Sequence, residues 1–376
     1  MYKKVFVLIL LQFLVFSCKQ EELRLKDNTE GIPTSLIVKK ESIVVDDQCL
    51  LDYTMLSTYK SPENESGFIY GYNYKTHSLD ILDTWTRKIS HIALQSDGPH
   101  AILLQIQGLY VYNEDSIWVY NQGTIYLINN EGEVQEKIVV SDLKEGFVIT
   151  DTNYSIAANK LYYNKKRKSL FYTVRSTRED PLFFVYEYCL ENGQISKNEI
   201  QGVGFEKDIK SYGWKQLPNV TFTDEKIIYN FPFESNIYTV DIETGKKQAF
   251  GGKSKFTDNV VSHISGSFSF EMAERHKVEN IHFFEILYNS AKNVYYRLHV
   301  GKSEFIDGED IFKLYNRKKM YIMVFDSNFN IINETELMPN KYYYINNWGM
   351  MSDGLFIASI PADENKYEYD IFSIQE

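Results

Sequence analysis

The chain has 376 residues, 51 acidic against 40 basic side chains for a formal net charge of −11, and 15% aromatic residues led by 29 Tyr and 24 Phe. A nucleic-acid-binding chain needs a basic footprint; none is visible, Lys165-Lys166-Arg167-Lys168 being one short turn-like cluster, so no nucleic-acid partner is expected. The length suits two ordinary domains or one large repeat fold, and Tyr and Phe favour pleated, half-buried surfaces, which predicts a β-rich fold.

The first predicted element is a leader. Met1-Tyr2-Lys3-Lys4 is basic, Val5 to Phe16 is apolar except for Gln12, and Val15-Phe16-Ser17-Cys18 ends the run. An apolar stretch of about a dozen residues enters the translocon, but a spanning helix needs about 20, so this one does not stay as an anchor. The segment resembles a bacterial lipoprotein signal peptide over residues 1–17, although Phe16 is bulkier than usual at its position. The resemblance implies diacylglycerol on the Cys18 thiol and further acylation of the new amino terminus; two or more chains make such anchoring stable. The alternative is ordinary secretory cleavage before Cys18. Lys19-Gln20-Glu21-Glu22 resembles the signal that flips Bacteroidetes lipoproteins to the cell surface, the alternative being a plain solvated tether. Residues 18–31 are polar and are expected to form a flexible tether.

From residue 32 to 376 the chain alternates short apolar-aromatic runs with polar turns. Phe68 to Tyr74 leads through Lys75-Thr76-His77 into Ser78 to Leu82, and Ser116 to Tyr120 leads through Asn121-Gln122-Gly123 into Thr124 to Ile128. The period of two and the flanking Gly, Asn and Asp predict strands and hairpins. One unit recurs: a strand, a polar turn, a second strand. Its turns fall at Lys75–His77, Asn129–Gly132, Glu191–Gly193, Glu243–Gly245, Ser290–Asn293 and Ser327–Asn330. Their mean spacing is roughly 50 residues, which points to propeller blades of four strands each. Ser35 to Val45 and Tyr367 to Ile374 are placed to share a blade and seal the ring. The predicted fold is an all-β propeller of six or seven four-stranded blades in a single domain; a pair of β-sandwiches is the competing architecture.

The leader, the strand-aspartate-turn-glycine units, Ser96-Asp97-Gly98-Pro99-His100 and the C-terminal Tyr321 to Asp326 followed by Asn328-Phe329-Asn330 carry a wider likeness. Together they resemble the six-bladed β-propeller lipoproteins of gut-type Bacteroidetes that are grouped as domains of unknown function. The resemblance spans nearly the whole mature chain and implies a fold and a location, but no catalytic residues.

Searches for chemistry are negative at the level of motifs. None of the seven histidines sits in H-E-x-x-H or H-x-H; Glu271, Glu274 and His276 lie in what reads as a polar turn. Cys49 and Cys189 stand either as a disulfide or as two buried thiols, and no cysteine pair has C-x-x-C spacing. No G-x-S-x-G elbow or phosphate loop is present, and Ser141-Asp142-Leu143-Lys144 lacks the partner motifs of an S-x-x-K enzyme. Calcium is the one metal with hard-oxygen candidates, at Asp307-Gly308-Glu309-Asp310 and Asp46-Asp47, although neither has EF-hand spacing. Aromatics give the positive binding hint. Trp118, Trp214 and Trp348, with Trp85 and Tyr342-Tyr343-Tyr344, fall near strand ends, where exposed rings stack on sugars or anchor proteins; the alternative is that they fill the space between blades.

The expectation is a monomeric, lipid-anchored outer-membrane propeller without a cofactor, surface-exposed or periplasm-facing. It is expected to act as a non-catalytic binding or scaffold module for an envelope protein or a glycan. A glycan-active hydrolase or lyase using carboxylates on the propeller face is the alternative, and a purely structural envelope protein is the third.

Overall fold

The computed structural model describes residues 23–27, 30–61, 67–140, 147–149, 161–176, 183–202, 212, 217–264, 269–343 and 347–375. Six antiparallel sheets succeed one another along the chain and close into a ring. Blade I holds β3 (Leu56–Lys60), β4 (Gly67–Asn73), β5 (Ser78–Asp83) and β6 (Ile89–Ala93). Blade II holds β7 (Gly108–Asn113), β8 (Ser116–Asn121), β9 (Thr124–Ile128) and β10 (Val134–Val139). In blade III the inner strand is split into β11 (Phe147–Ile149) and β12 (Tyr162–Asn164), which lie end to end along β13 (Ser169–Ser176), followed by β14 (Phe183–Cys189) and β15 (Ile195–Ile200). Blade IV holds β16 (Asn219–Phe222), β17 (Lys226–Asn230), β18 (Ile237–Asp241) and β19 (Lys247–Phe250); blade V holds β20 (His282–Asn289), β21 (Val294–Val300), β22 (Met320–Phe325) and β23 (Ile331–Glu336). Blade VI takes β24 (Trp348–Met350), β25 (Leu355–Ala358) and β26 (Lys366–Ile374) from the C-terminus and β2 (Leu36–Val44) from the N-terminus.

The expected propeller is therefore present with six blades, and the two chain ends seal it as the sequence suggested. All nine residues of β2 pair with β26, from Leu36 opposite Ile374 to Val44 opposite Lys366. Both faces of each sheet pack against neighbouring blades, so the core lies in the seams. Ile43, Tyr53, Leu82 and Tyr367 fill the seam between blades VI and I, and Tyr70, Ile92, Leu109 and Ile117 that between I and II. Polar pins cross the seams too. Asn164 donates to Asp224 O of blade IV, and Asn289 donates to Met351 O and Ser352 O of blade VI.

Three expectations need correction. The six recurrent turns are not one per blade. Those at 129–132, 191–193, 243–245 and 327–330 join third to fourth strands, but 75–77 joins β4 to β5 and 290–293 joins β20 to β21. The equivalent turn of blade I is Asp83–Arg87, where Asp83 Oδ1 accepts from Trp85 N and Thr86 N. Met272 to Lys277 is not a turn but part of helix α1 (Phe270–Glu279), N-capped by Ser269; a second helix, α2 (Ile311–Asn316), is N-capped by Asp310. The described part of the segment expected as a flexible tether is bound to the ring: β1 (Leu25–Lys26) adds a parallel fifth strand to β19 and Gly31 N donates to Ile331 O at 3.0 Å. The segment therefore straps the rims of blades IV and V before entering blade VI. Residues 1–22 lie outside the described residues.

Candidate functional site

An up-and-down meander sends alternate connections to opposite ends of each blade. On one side of the ring, the turn face, no connection exceeds six residues. On the other, the loop face, the connections 45–55, 94–107, 201–218, 251–281, 301–319 and 337–347 run from 11 to 31 residues and carry both helices. The loop face is the candidate site, and its described parts are held from below by buried polar groups.

Over the seam of blades VI and I, the loop 45–55 is fixed by Asp80 of β5, which is fully buried. Asp80 accepts from Tyr53 Oη at 2.8 Å, Leu50 N at 3.2 Å and Asn73 Nδ2 at 3.0 Å. His91 bridges it to the loop, with Nδ1 2.9 Å from Asp80 and Nε2 3.0 Å from Asp46. Burial pulls the His91 pKa down, but the two carboxylates outweigh it and leave it raised; the same contact with His91 lowers that of Asp46. Asn347, also buried, accepts from Tyr53 N at 2.9 Å and donates to Asp52. The Asp46 carboxylate is thus occupied by His91, Gln48 N and Cys49 N rather than presented to a cation.

Between blades IV and V the loop 251–264 is clamped by Arg297 of β21. Its guanidinium donates to Ser235 O at 2.7 Å and Gly252 O at 2.5 Å, and lies 4.5 Å and 5.2 Å from the ring centres of Phe283 and Phe325. Beside it, Ser254, His299 and Glu334 have the residue types of a hydrolytic triad but not its geometry. A relay needs the acid on Nδ1 and the serine on Nε2. Here Ser254 Oγ (3.1 Å) and Glu334 Oε1 (3.4 Å) both face Nε2, while Nδ1 has no partner among the described residues. All three are buried, and burial holds His299 neutral, well below its ordinary pKa. Glu334 instead accepts from Ser254 Oγ and Lys255 N, which pins the loop. Farther out, burial raises Glu234 to about 7 against the opposing hydrogen bonds from Tyr238 and Asn236. Lys318 closes the C-terminus of α1 by donating to Lys277 O, Val278 O and Asn280 O, where a cation also suits the helix dipole.

The tryptophans expected to stack on a ligand are placed otherwise. Trp118 is 2% exposed and packs 5.7 Å from Tyr163 across the seam of blades II and III. Trp348 is 5% exposed, edge-on to Phe284 across the seam of V and VI. Both fill the space between blades, because the inner and second strands they occupy are covered on each side. Trp214 lies outside the described residues, as do Cys18, Lys19-Gln20-Glu21-Glu22 and Ser141 to Lys144. Trp85 is 69% exposed, but on the turn face. The second calcium candidate is likewise committed elsewhere: Asp307 pairs with Arg275, Glu309 with Arg317, and Asp310 caps α2. Cys49 and Cys189 are separate free thiols, and burial pushes that of Cys49 up to about 12.

Two polar cavities lie on the rim, where the fourth strand of one blade meets a turn of the next. One, about 430 Å³, is bordered by Lys40, Glu41, Arg87, Lys341 and Asp370; the other, about 520 Å³, by Gln95, His100, Glu131 and Glu133. Sequence reasoning missed both, since each is made by residues distant in the chain. It also missed the Tyr-Asn dipeptide, which occurs seven times and ends five strands with a buried asparagine at 73, 121, 164, 230 and 289.

Comparison with known proteins agrees with this architecture. None of the curated proteins matches the sequence. The solved structure of a DUF4221 family member from Bacteroides vulgatus superposes with a TM-score of 0.72 at 18% identity, covering 92% of this chain and 99% of its own. A Bacteroides fragilis protein named for its inferred export superposes with a TM-score of 0.55 at 12% identity, covering 94% and 99%. The family model described as "Domain of unknown function (DUF4221)" matches residues 37–336, from β2 to the end of β23. The chain belongs to the DUF4221 family.

Proposed function

We propose that this protein is a lipid-anchored component of the bacterial envelope that binds a protein or glycan on the loop face of its ring, as a non-catalytic module. The leader ending at Cys18 supports the location, as does the exported name of the Bacteroides fragilis relative. The observation that carries the binding reading is the asymmetry of the two faces. Six connections of 11 to 31 residues and both helices leave the blades on one side, and exposed apolar side chains stand there, among them Leu103, Leu104, Phe270 and Phe312. Loops on a rigid scaffold are where recognition concentrates. The buried carboxylates Asp80, Glu234, Glu334 and Asp370 each serve a structural hydrogen bond, which supports binding over turnover.

The test uses the full chain against envelope proteins and a glycan array. Saturable binding that is lost in Leu104→Ala or Phe312→Ala and kept in Trp85→Ala on the turn face is expected. Turnover of a glycan with no stable complex would overturn the reading. For the anchor, Cys18→Ala is expected to move the protein from the membrane to the soluble fraction; full retention in the membrane would sink lipidation.

A further inference from the structure

We infer that the basic turn Lys165–Lys168 of blade III rests against anionic lipid headgroups, so that the ring stands on the turn side of blades III and IV with its loop face outward. The inference deepens the lipid-anchored reading above and rests on it. Three observations place this sector next to the membrane.

The first is reach. Five peptide links separate Cys18 from Leu23, and whatever their conformation they span at most about 18 Å. Leu23 packs into the core of blades III to V, and Leu25 and Lys26 run parallel to β19, opposite Ala249 and Phe250. β1 pairs with the last two residues of β19 and runs parallel to it, from turn side to loop side, so the chain that precedes Leu25 reaches the rim from the turn side. A lipid on Cys18 holds that point within the tether length of the bilayer.

The second is adjacency. The start of β19 abuts blade III, since Lys247 Nζ donates to Glu199 O at 2.9 Å. The 165–168 turn is tied to blade IV through Asn164, which donates to Asp224 O, and Arg167 faces both Glu187 of its own blade and Glu243 in the β18–β19 turn. The basic turn and the point of chain entry thus belong to one sector.

The third is charge. Arg167 and Lys168 pair with Glu187 and Glu191. Lys165 and Lys166 are exposed at the tip and make no ion pair among the described residues, and exposed Lys246 lies in the adjoining turn. Acidic Asp224, Glu225 and Glu243 stand nearby. Blade II offers only Glu114, Asp115, Glu131 and Glu133 on its turns. In a chain of net charge −11, an anionic surface repels those turns and accepts the lysine tip. Juxtamembrane lysines are attracted to anionic lipid within a Debye length.

The native lipoprotein is reconstituted into vesicles of phosphatidylcholine, alone or with phosphatidylglycerol, and its lysines are acetylated briefly and read by mass spectrometry. Lys165, Lys166 and Lys246 are expected to be protected several-fold in the phosphatidylglycerol vesicles relative to detergent, while Lys302 and Lys313 on the loop face label equally throughout. Protection of Lys246 should vanish in the double variant Lys165→Glu, Lys166→Glu. Equal labelling in both vesicles, or protection of the loop-face lysines instead, overturns the inference. The mass of the N-terminal peptide in the same sample reports acylation of Cys18. A chain without it overturns the anchored reading, whereas an acylated chain without protection overturns this inference alone.

Discussion

Arg297 shows how a single side chain sets the geometry of the loop face. Its charge is buried and forms no ion pair among the described residues, and desolvation lowers its pKa to about 9 against the opposing charge of Glu334, so it stays protonated at neutral pH. Two carbonyls and two aromatic faces compensate. Replacing it by Met removes both hydrogen bonds and leaves Ser235 O and Gly252 O without them, an expected loss of about 2–4 kcal/mol in urea unfolding. Arg297→Lys should recover little, because one ammonium cannot reproduce a planar fork. None of this was visible in Val-Tyr-Tyr-Arg-Leu-His-Val, which reads as an ordinary strand with two polar interruptions. The residue scale was the least legible throughout. Trp118 and Trp348 looked like ligand platforms because they sit in short strands beside turns, but an inner or second strand of a propeller is covered from both sides. Period-two alternation marks one buried face, and it cannot distinguish a strand buried on both.

At the scale of elements, the turn after each third strand is the unit that repeats. Asp83, Asn129, Asp241 and Asp326 accept backbone N–H groups with their side chains, and a left-handed residue follows at Arg87, Gly132, Gly245 and Phe329. This Asx chemistry was legible as polar residues after apolar runs. The register of turns within blades was not, because the loop-face insertions stretch the interval from 46 residues (Asp83 to Asn129) to 85 (Asp241 to Asp326). The turns also key into the preceding blade. A Cβ at Gly132 would stand 2.2 Å from Ala93 O, whereas one at Gly245 meets nothing within 4 Å. Both glycines have positive φ, so Gly245→Ala should cost only the left-handed penalty of about 1–2 kcal/mol. Gly132→Ala must add a backbone clash and should exceed it in the same urea measurement; equal losses would show that the seam yields freely. The loop 45–55 titrates as well. His91, with a raised pKa, contributes stability fully below its ordinary 6.5 and loses it as pH rises through the folded value, while Asp46, with a lowered one, contributes above 3.8 and loses it on acidification. The latch is therefore strongest between these two values. His91→Gln should flatten the fall in melting temperature between about pH 6 and pH 8 and, because His91 is the main cause of the lowered Asp46 pKa, should also reduce the fall on acidification.

For the whole molecule, stability is a property of seams rather than blades. The apolar clusters span neighbouring sheets, and each sheet needs a neighbour on both sides. The ring architecture was legible for that reason: a long succession of short strands without a linker has many edges, and radial closure is the arrangement that leaves only short ones. Closure itself depends on β2, the only strand of blade VI that comes from the N-terminus. Ile43 of β2 is fully buried with Tyr53, Leu56, Leu82 and Tyr367 in the seam of blades VI and I. Ile43→Asp places an unpaired charge there and should unzip this seam, turning one cooperative ring into an open array whose end blades have lost a neighbour. Hydrogen exchange is the discriminating measurement. Protection should fall first in β24–β26 and β3–β6 and persist in β16–β23, because opening is local where contacts are lost. In contrast Ile227→Asp, at an equally buried position inside blade IV, should weaken β13–β19 first. If both variants lower protection evenly around the ring, closure by β2 is not the joint on which the fold turns.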